Sequence, residues 1–113
     1  MRALLFVILA AAAAAQTKSG ATPVGDVQNG KKIFTSYGCY QCHSYDGHGG
    51  AGARLAPNPP AFATFIRYVR QPTGEMPPYT AKVVTDKELA DIYAFLLTIP
   101  APPPAKDIPL LNR

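Results

Sequence analysis

The chain has no tryptophan, and its 113 residues include only two cysteines, two histidines and two methionines. So few soft or nitrogen ligands leave little for a structural zinc site, which needs four, drawn as a rule from two separate pairs. Beyond Cys39, Cys42 and His43, only His48 remains as such a ligand. Charge is scarce as well, at 16% of residues with a net charge of +4. The basic residues are scattered, with only Lys31 and Lys32 adjacent, so the clustered basic face of a nucleic-acid binder is missing. There is no internal repeat, and no βαβ pattern of the kind that carries a thioredoxin-like redox motif. No apolar run reaches the roughly 20 residues a membrane-spanning helix needs.

The longest apolar run is at the amino terminus. Arg2 is followed by Ala3 through Leu9 and then by alanines ending at Ala15. A positive start, a short hydrophobic core and small residues at Ala13 and Ala15 predict a signal peptide over 1–15, cleaved before Gln16. An uncleaved amino-terminal anchor is the alternative. No cysteine lies at the cleavage point, so no lipid anchor is indicated. The expected location is the periplasm, with no stable membrane insertion once the leader is removed. Two thiols in an oxidising compartment should end as a disulfide or be consumed by another covalent bond.

Cys39-Tyr40-Gln41-Cys42-His43 supplies the second outcome. Two thiols at this spacing can each add across a vinyl group of one haem, and the next histidine is then held beneath the iron. C-x-x-C-H is the attachment signature of haem c. Cys39 and Cys42 are therefore the expected covalent links to one haem c, and His43 the expected proximal iron ligand. A redox disulfide and half a zinc site are the competing readings of the same residues. A domain of about 100 residues is marginal by itself, and a haem in its core would add both apolar bulk and a cross-link.

In chain order, residues 16–25 are polar with glycine and proline and read as a flexible leader. Asp26 is a candidate N-cap for a helix over 26–37, with Val27, Gly30, Phe34 and Tyr37 at helical spacing and Gly38 as its stop. Gly30 in mid-helix costs about 1 kcal/mol against alanine, a cost that close approach of another helix would offset. A merely tolerated glycine is the alternative. Residues 44–60 are rich in glycine, alanine and proline and form a loop, expected to wrap the proximal side of the haem. His48, five residues past His43, would have to round the ring edge within about 17 Å of extended chain to ligate distally. It reads instead as a solvent-exposed loop histidine.

A second helix, 61–70, carries Phe62, Phe65, Ile66 and Val69 on one stripe, with Arg67 and Arg70 off it. Gly74-Glu75-Met76-Pro77-Pro78-Tyr79 follows. Apart from the initiator, Met76 is the only methionine. In a proline-stiffened loop its thioether is the natural distal iron ligand, although methionine in a loop is more commonly a gap-filler. Thr85 and Glu88 form a capping box for a third helix, 86–98, with Leu89, Ile92, Tyr93, Leu96 and Ile99 on one face and Phe95 beside it. Pro100 ends it, and residues 100–113 form a proline-rich tail whose Ile108, Leu110 and Leu111 are expected to fold back on the domain. The predicted fold is all-α, with three main helices around one covalent haem and a domain spanning 26–99.

With haem motif, methionine loop and final helix in place, residues 25–99 resemble the class I cytochrome c family, in particular its small bacterial periplasmic members. The resemblance implies a crossing of the first and last helices at Gly30 and Phe34, against Ile92 and Phe95, with Tyr93 as a competing register. It implies His43 as proximal and Met76 as distal ligand. The family often has a proline after the loop glycine, whose carbonyl accepts the proximal histidine's N–H. Here Gly52 is followed by Ala53, and a backbone carbonyl is still available for that bond. Arg54 is a candidate contact to a haem propionate, with an ordinary surface arginine as the alternative.

Together these features predict a single-haem electron carrier and not an enzyme, because both axial positions are filled by protein. Its expected partners are redox proteins: a dehydrogenase or quinol-oxidising complex as donor, and a terminal oxidase or another cytochrome as acceptor. The rivals are a ligand-binding or peroxidatic haem protein with a labile sixth position, a thiol–disulfide oxidoreductase, and a cytochrome subunit of a dehydrogenase complex.

Overall fold

Asp26 starts the first helix as its side chain implies: its carboxylate accepts from the Asn29 N–H at 2.8 Å, and α1 runs Val27–Ser36. The helix stops where Gly38 takes a positive φ of 79°. There the Gly38 N–H donates to Thr35 O and the Cys39 N–H to Phe34 O, each at 3.1 Å. This is a Schellman ending, which glycine adopts without the Cβ penalty. The computed structural model describes residues 21–112. The predicted signal peptide, and the leader up to residue 20, lie outside the described residues.

Three further helices follow: α2 (Tyr40–His43), a single turn through the cysteine motif, α3 (Phe62–Arg70) and α4 (Asp86–Leu97). Among the described residues there is no strand. The capping box on α4 is complete. Thr85 Oγ1 accepts from the Glu88 N–H, and the Glu88 carboxylate accepts from the Thr85 N–H at 2.7 Å.

Packing of α1 on α4 sets the frame. At Gly30 a Cβ would overlap the Asp91 carbonyl and lie 2.8 Å from Ile92 N, so the two backbones touch there. One turn on, Phe34 packs its ring against Phe95 with centroids 5.6 Å apart. Tyr93 turns away from α1 and meets Phe62 and Phe65 of α3 at 5.2 and 5.4 Å. The register is therefore Ile92 and Phe95 toward α1, with Tyr93 belonging to the α3 contact. Phe34, Leu89, Leu96 and Val84 are all but sealed from solvent. Each such side chain contributes about 1.5–3 kcal/mol by burial.

Three expectations need correction. Gly25, assigned to the leader, is half-buried against the Ala90 carbonyl, so packing on α4 begins one residue earlier than predicted. The tail does not fold back. Leu110 is 71% and Leu111 64% exposed. Its backbone bonds close locally in short 3-10 turns, Asp107 N to Pro104 O and Leu111 N to Ile108 O, while the proline run ahead of them holds the chain extended.

His48 is half-buried rather than free in solvent. Its Nδ1 lies 3.0 Å from Asp46 and its Nε2 2.9 Å from Pro100 O, so it ties the glycine-rich loop to the end of α4. The Ser44 hydroxyl and the His48 backbone N–H hold the Asp46 carboxyl below its ordinary value. Arg70 lies off the apolar stripe, as expected, and its side chain, only 18% exposed, bridges to Asp86 at the start of α4. Periodicity locates a stripe and says nothing about which flanking arginine finds a partner.

Candidate haem site

The Gly38 turn delivers Cys39 to the wall of a cavity of about 670 Å³, within the range of roughly 300–1,000 Å³ that holds cofactor-sized ligands. The α2 turn then carries the chain through Cys42 to His43, whose N–H donates to Cys39 O at 3.0 Å. Cys39, Cys42 and His43 all line this cavity, together with Met76 from the loop that follows α3. Phe65, Val69, Leu89 and Ile92 are among its apolar walls.

His43 Nδ1 sits 2.7 Å from the Ala53 carbonyl oxygen. A carbonyl can only accept, so Nδ1 carries the proton and Nε2 the lone pair a metal needs. The absent proline has not cost this bond. Loop geometry is held from elsewhere: Gly52 N donates to Cys42 O at 2.7 Å and Gly50 N to Gly52 O at 3.1 Å. A Cβ at Gly52 would stand 3.0 Å from His43 Cε1 and 3.1 Å from Cys42 Cβ, so the loop lies directly on the proximal ring. Gly47 anchors the same loop, accepting from Leu55 and Ala56 N–H at 2.8 and 2.9 Å.

Burial pushes the Cys39 thiol above its ordinary value, a backbone hydrogen bond only partly offsetting it. A redox-active C-x-x-C thiol is instead held low as a thiolate, so the surroundings of Cys39 do not favour the thiol–disulfide reading. On the other side of the cavity, residues 71–80 are strapped down around Met76. Tyr79 N donates to Val69 O at 3.1 Å, Arg70 Nη1 donates to Tyr79 O at 2.8 Å, and the Tyr79 hydroxyl donates to Tyr37 O at 2.9 Å. Burial, with the Cys39 and Cys42 thiols adding to it, pushes the Tyr79 phenol up, so it stays a protonated donor at neutral pH.

The structure thus brings four of the five residues predicted from sequence to one cavity: Cys39, Cys42, His43 and Met76. Arg54 is exposed and does not line it. Two thiols, an imidazole protonated on Nδ1, a thioether and apolar side chains lining one cavity fit a covalently attached haem. Arg70 and Tyr79 were not singled out from the sequence. The available signal was a tyrosine three residues after the candidate ligand and an arginine at the end of the preceding helix. Asp91 was also missed, because a lone acid among the apolar residues of α4 gives no periodic signal.

A family model described as cytochrome c oxidase, cbb3-type, subunit III matches residues 25–96, more than half of the chain. That span runs from the glycine ahead of α1 to the penultimate residue of α4 and contains the whole cavity wall named above. No curated protein and no solved structure matches the chain.

Proposed function

The chain belongs to the cytochrome c family described by the cbb3-type oxidase subunit III model, and from that membership we propose a periplasmic single-haem electron carrier whose iron is held between His43 and Met76. Membership makes the cofactor a covalently bound haem c and the activity haem-based electron transfer. The finer reading is carried by one observation: the Ala53 carbonyl commits His43 Nδ1, while Met76 lines the same cavity.

The haem, once bound, supplies one-electron exchange between ferrous and ferric iron. The residues supply everything that tunes it. Cys39, just before α2, and Cys42 within it would hold the ring covalently. The Ala53 bond sets the tautomer of His43 and raises its basicity. A soft thioether from Met76 favours ferrous iron relative to a second histidine, raising the reduction potential. Phe65, Val69, Leu89 and Ile92 keep water from the site and lower the local dielectric. With His43 and Met76 both holding the iron, no coordination site would be left for oxygen or peroxide.

Cys42, Gln41 and Ala51 are exposed at the cavity margin, which supports a small docking face for transient redox partners there. A dehydrogenase or quinol-oxidising complex would donate, and a terminal oxidase or another cytochrome would accept. A second reading, a dedicated subunit of an oxidoreductase complex, is favoured by the exposed Leu97, Leu110 and Leu111, which have no partner surface on this domain.

The test is the absorption spectrum of the mature protein made with haem-maturation machinery. A sharp reduced α-band with a weak ferric near-infrared band is expected, and that band should vanish in Met76→Ala with haem retained. An unchanged band in the variant would sink the methionine assignment. High-spin features in the wild type would instead move ligand binding or peroxidase activity to the front.

A further inference from the structure

We propose that Tyr79, with Arg70, is the positioning residue that keeps Met76 at the iron. The inference rests on the His43/Met76 reading above. Pro77 and Pro78 limit the backbone between Met76 and Tyr79, but neither has an N–H with which to tie the loop to the domain. All the described anchoring on the carboxyl side of Met76 therefore falls on Tyr79, the first residue after it able to donate.

Three elements converge there. The Tyr79 N–H reaches the end of α3 at Val69 O, its carbonyl accepts from Arg70, and its hydroxyl crosses to the Tyr37 carbonyl at the end of α1. Tyr37 is two residues before Cys39 and would otherwise carry an orphan carbonyl at the helix terminus. One side chain thus pins the methionine loop to the segment that leads into the haem-attachment turn. Arg70 extends the strap to α4, pairing through its other nitrogen with Asp86. On the amino side, among the described residues, the loop is tied by the Tyr68 hydroxyl to Thr73 O at 3.0 Å and to Thr73 Oγ1 at 3.2 Å, on an exposed face. Gly74, between Thr73 and Met76, has a positive φ of 77° with open space around it. Met76 also packs against the core, but the part-buried hydrogen bonds that hold its loop are those of Tyr79 and Arg70.

Loosening that strap should release the thioether to a competing ligand without unfolding the domain. The experiment titrates the ferric holoprotein with imidazole, reading the near-infrared band, for wild type, Tyr79→Phe, Arg70→Lys and Asp86→Asn. Global stability is measured in parallel by denaturant. Loss of one partly buried hydrogen bond shifts an equilibrium by about fivefold, within a range of about two- to twelvefold. Tyr79→Phe and Arg70→Lys are therefore expected to bind imidazole about fivefold more tightly than wild type. Asp86→Asn removes only the exposed end of the strap and should leave imidazole affinity near the wild-type value.

Wild-type imidazole affinity in both Tyr79→Phe and Arg70→Lys would overturn the proposal while leaving Met76 ligation intact. Gains that merely track lost denaturant stability, with Asp86→Asn behaving alike, would also overturn it, since the residues would then be structural only. A wild-type protein without the ferric near-infrared band would remove the His43/Met76 reading and this inference with it.

Discussion

Gly30 of α1 and Asp91 of α4 meet backbone to backbone, with no room between them for a single methyl group. The same Asp91 then turns its carboxylate back to α1. It accepts from the Asp26 N–H and the Asn29 amide, each at 2.8 Å, and from Lys87 of its own helix at 3.0 Å. One position on α4 therefore sets both how near α1 comes and where α1 begins. The cavity depends on this crossing, because Phe34 on one helix and Leu89 and Ile92 on the other are part of its wall.

Gly30→Ala should destabilise the domain. Alanine gains about 1 kcal/mol in helix propensity, but overpacking costs typically about 1–3 kcal/mol. Here the obstacle is backbone, which cannot rotate away as a side chain can. The clash should win, and a urea titration followed by far-ultraviolet circular dichroism should show a lower midpoint.

Asp91 should make the domain acid-sensitive. Burial pushes its carboxyl up, but the Asp26 N–H, the Asn29 amide and Lys87 together outweigh this and hold it below its ordinary value. A depressed folded value means the stability it adds is complete above the unfolded value of about 3.9 and is lost as pH falls through the lower, folded one. Asp91→Asn should flatten that acid limb of the stability curve. Asp91→Ala should cost about 1–3 kcal/mol at neutral pH, by leaving donors without an acceptor.

Gly52→Ala should register at the iron before it registers in stability. The added Cβ meets the His43 ring at 3.0 Å, and the ring must give. Moving it lengthens the bond to Ala53 and lowers ligand basicity, which favours ferrous iron. The reduction potential should rise, by a fraction of the roughly 59 mV that a tenfold change represents for one electron. Cyclic voltammetry of wild type and variant is the measurement. A fall in potential would refute the role given to the Ala53 bond.

Thr85→Ala should do the opposite: lose stability and leave the spectrum alone. Removing this N-cap costs about 1 kcal/mol. Thr85 is exposed and does not line the cavity, so the ferric near-infrared band should be unchanged in position. Thermal unfolding and absorption spectra of the same sample separate the two effects.

Much of this was readable in one dimension because its physics is local. Vinyl-thiol spacing is a property of five consecutive residues, so Cys39, Cys42 and His43 declare themselves. Capping by Asp26 and by Thr85 with Glu88 lies within one helical turn, as does the stop at Gly38, and all three are found where expected. Met76 stands out by scarcity and by its prolines. Where sequence reasoning failed, the deciding contact spanned a long separation. His48 was read as solvent-exposed because one of its two partners, Pro100, is 52 residues away, although the other, Asp46, is close in the chain. Asp91 was missed because its donors on α1 lie 62 and 65 residues before it. The tail leucines were expected to turn inward on hydrophobicity alone, which does not reveal whether a surface is there to receive them.

The amino-acid sequence by itself thus determined the three longer helices and their ends and pointed to the residues of the candidate cofactor site, since each follows from bond geometry and hydrogen bonding within a few residues. The single turn α2 was not foreseen. Only the tertiary structure decided which faces of those helices meet. Tyr93 could serve α1 or α3 by periodicity alone, and the fit of Gly30 onto the Asp91 backbone assigns it to α3. The tertiary structure also decided that Tyr79 reaches Tyr37 across 42 residues of chain. Backbone close approach and long-range hydrogen bonds depend on where helices cross in space, and the crossing is set by the summed packing of side chains far apart in the chain.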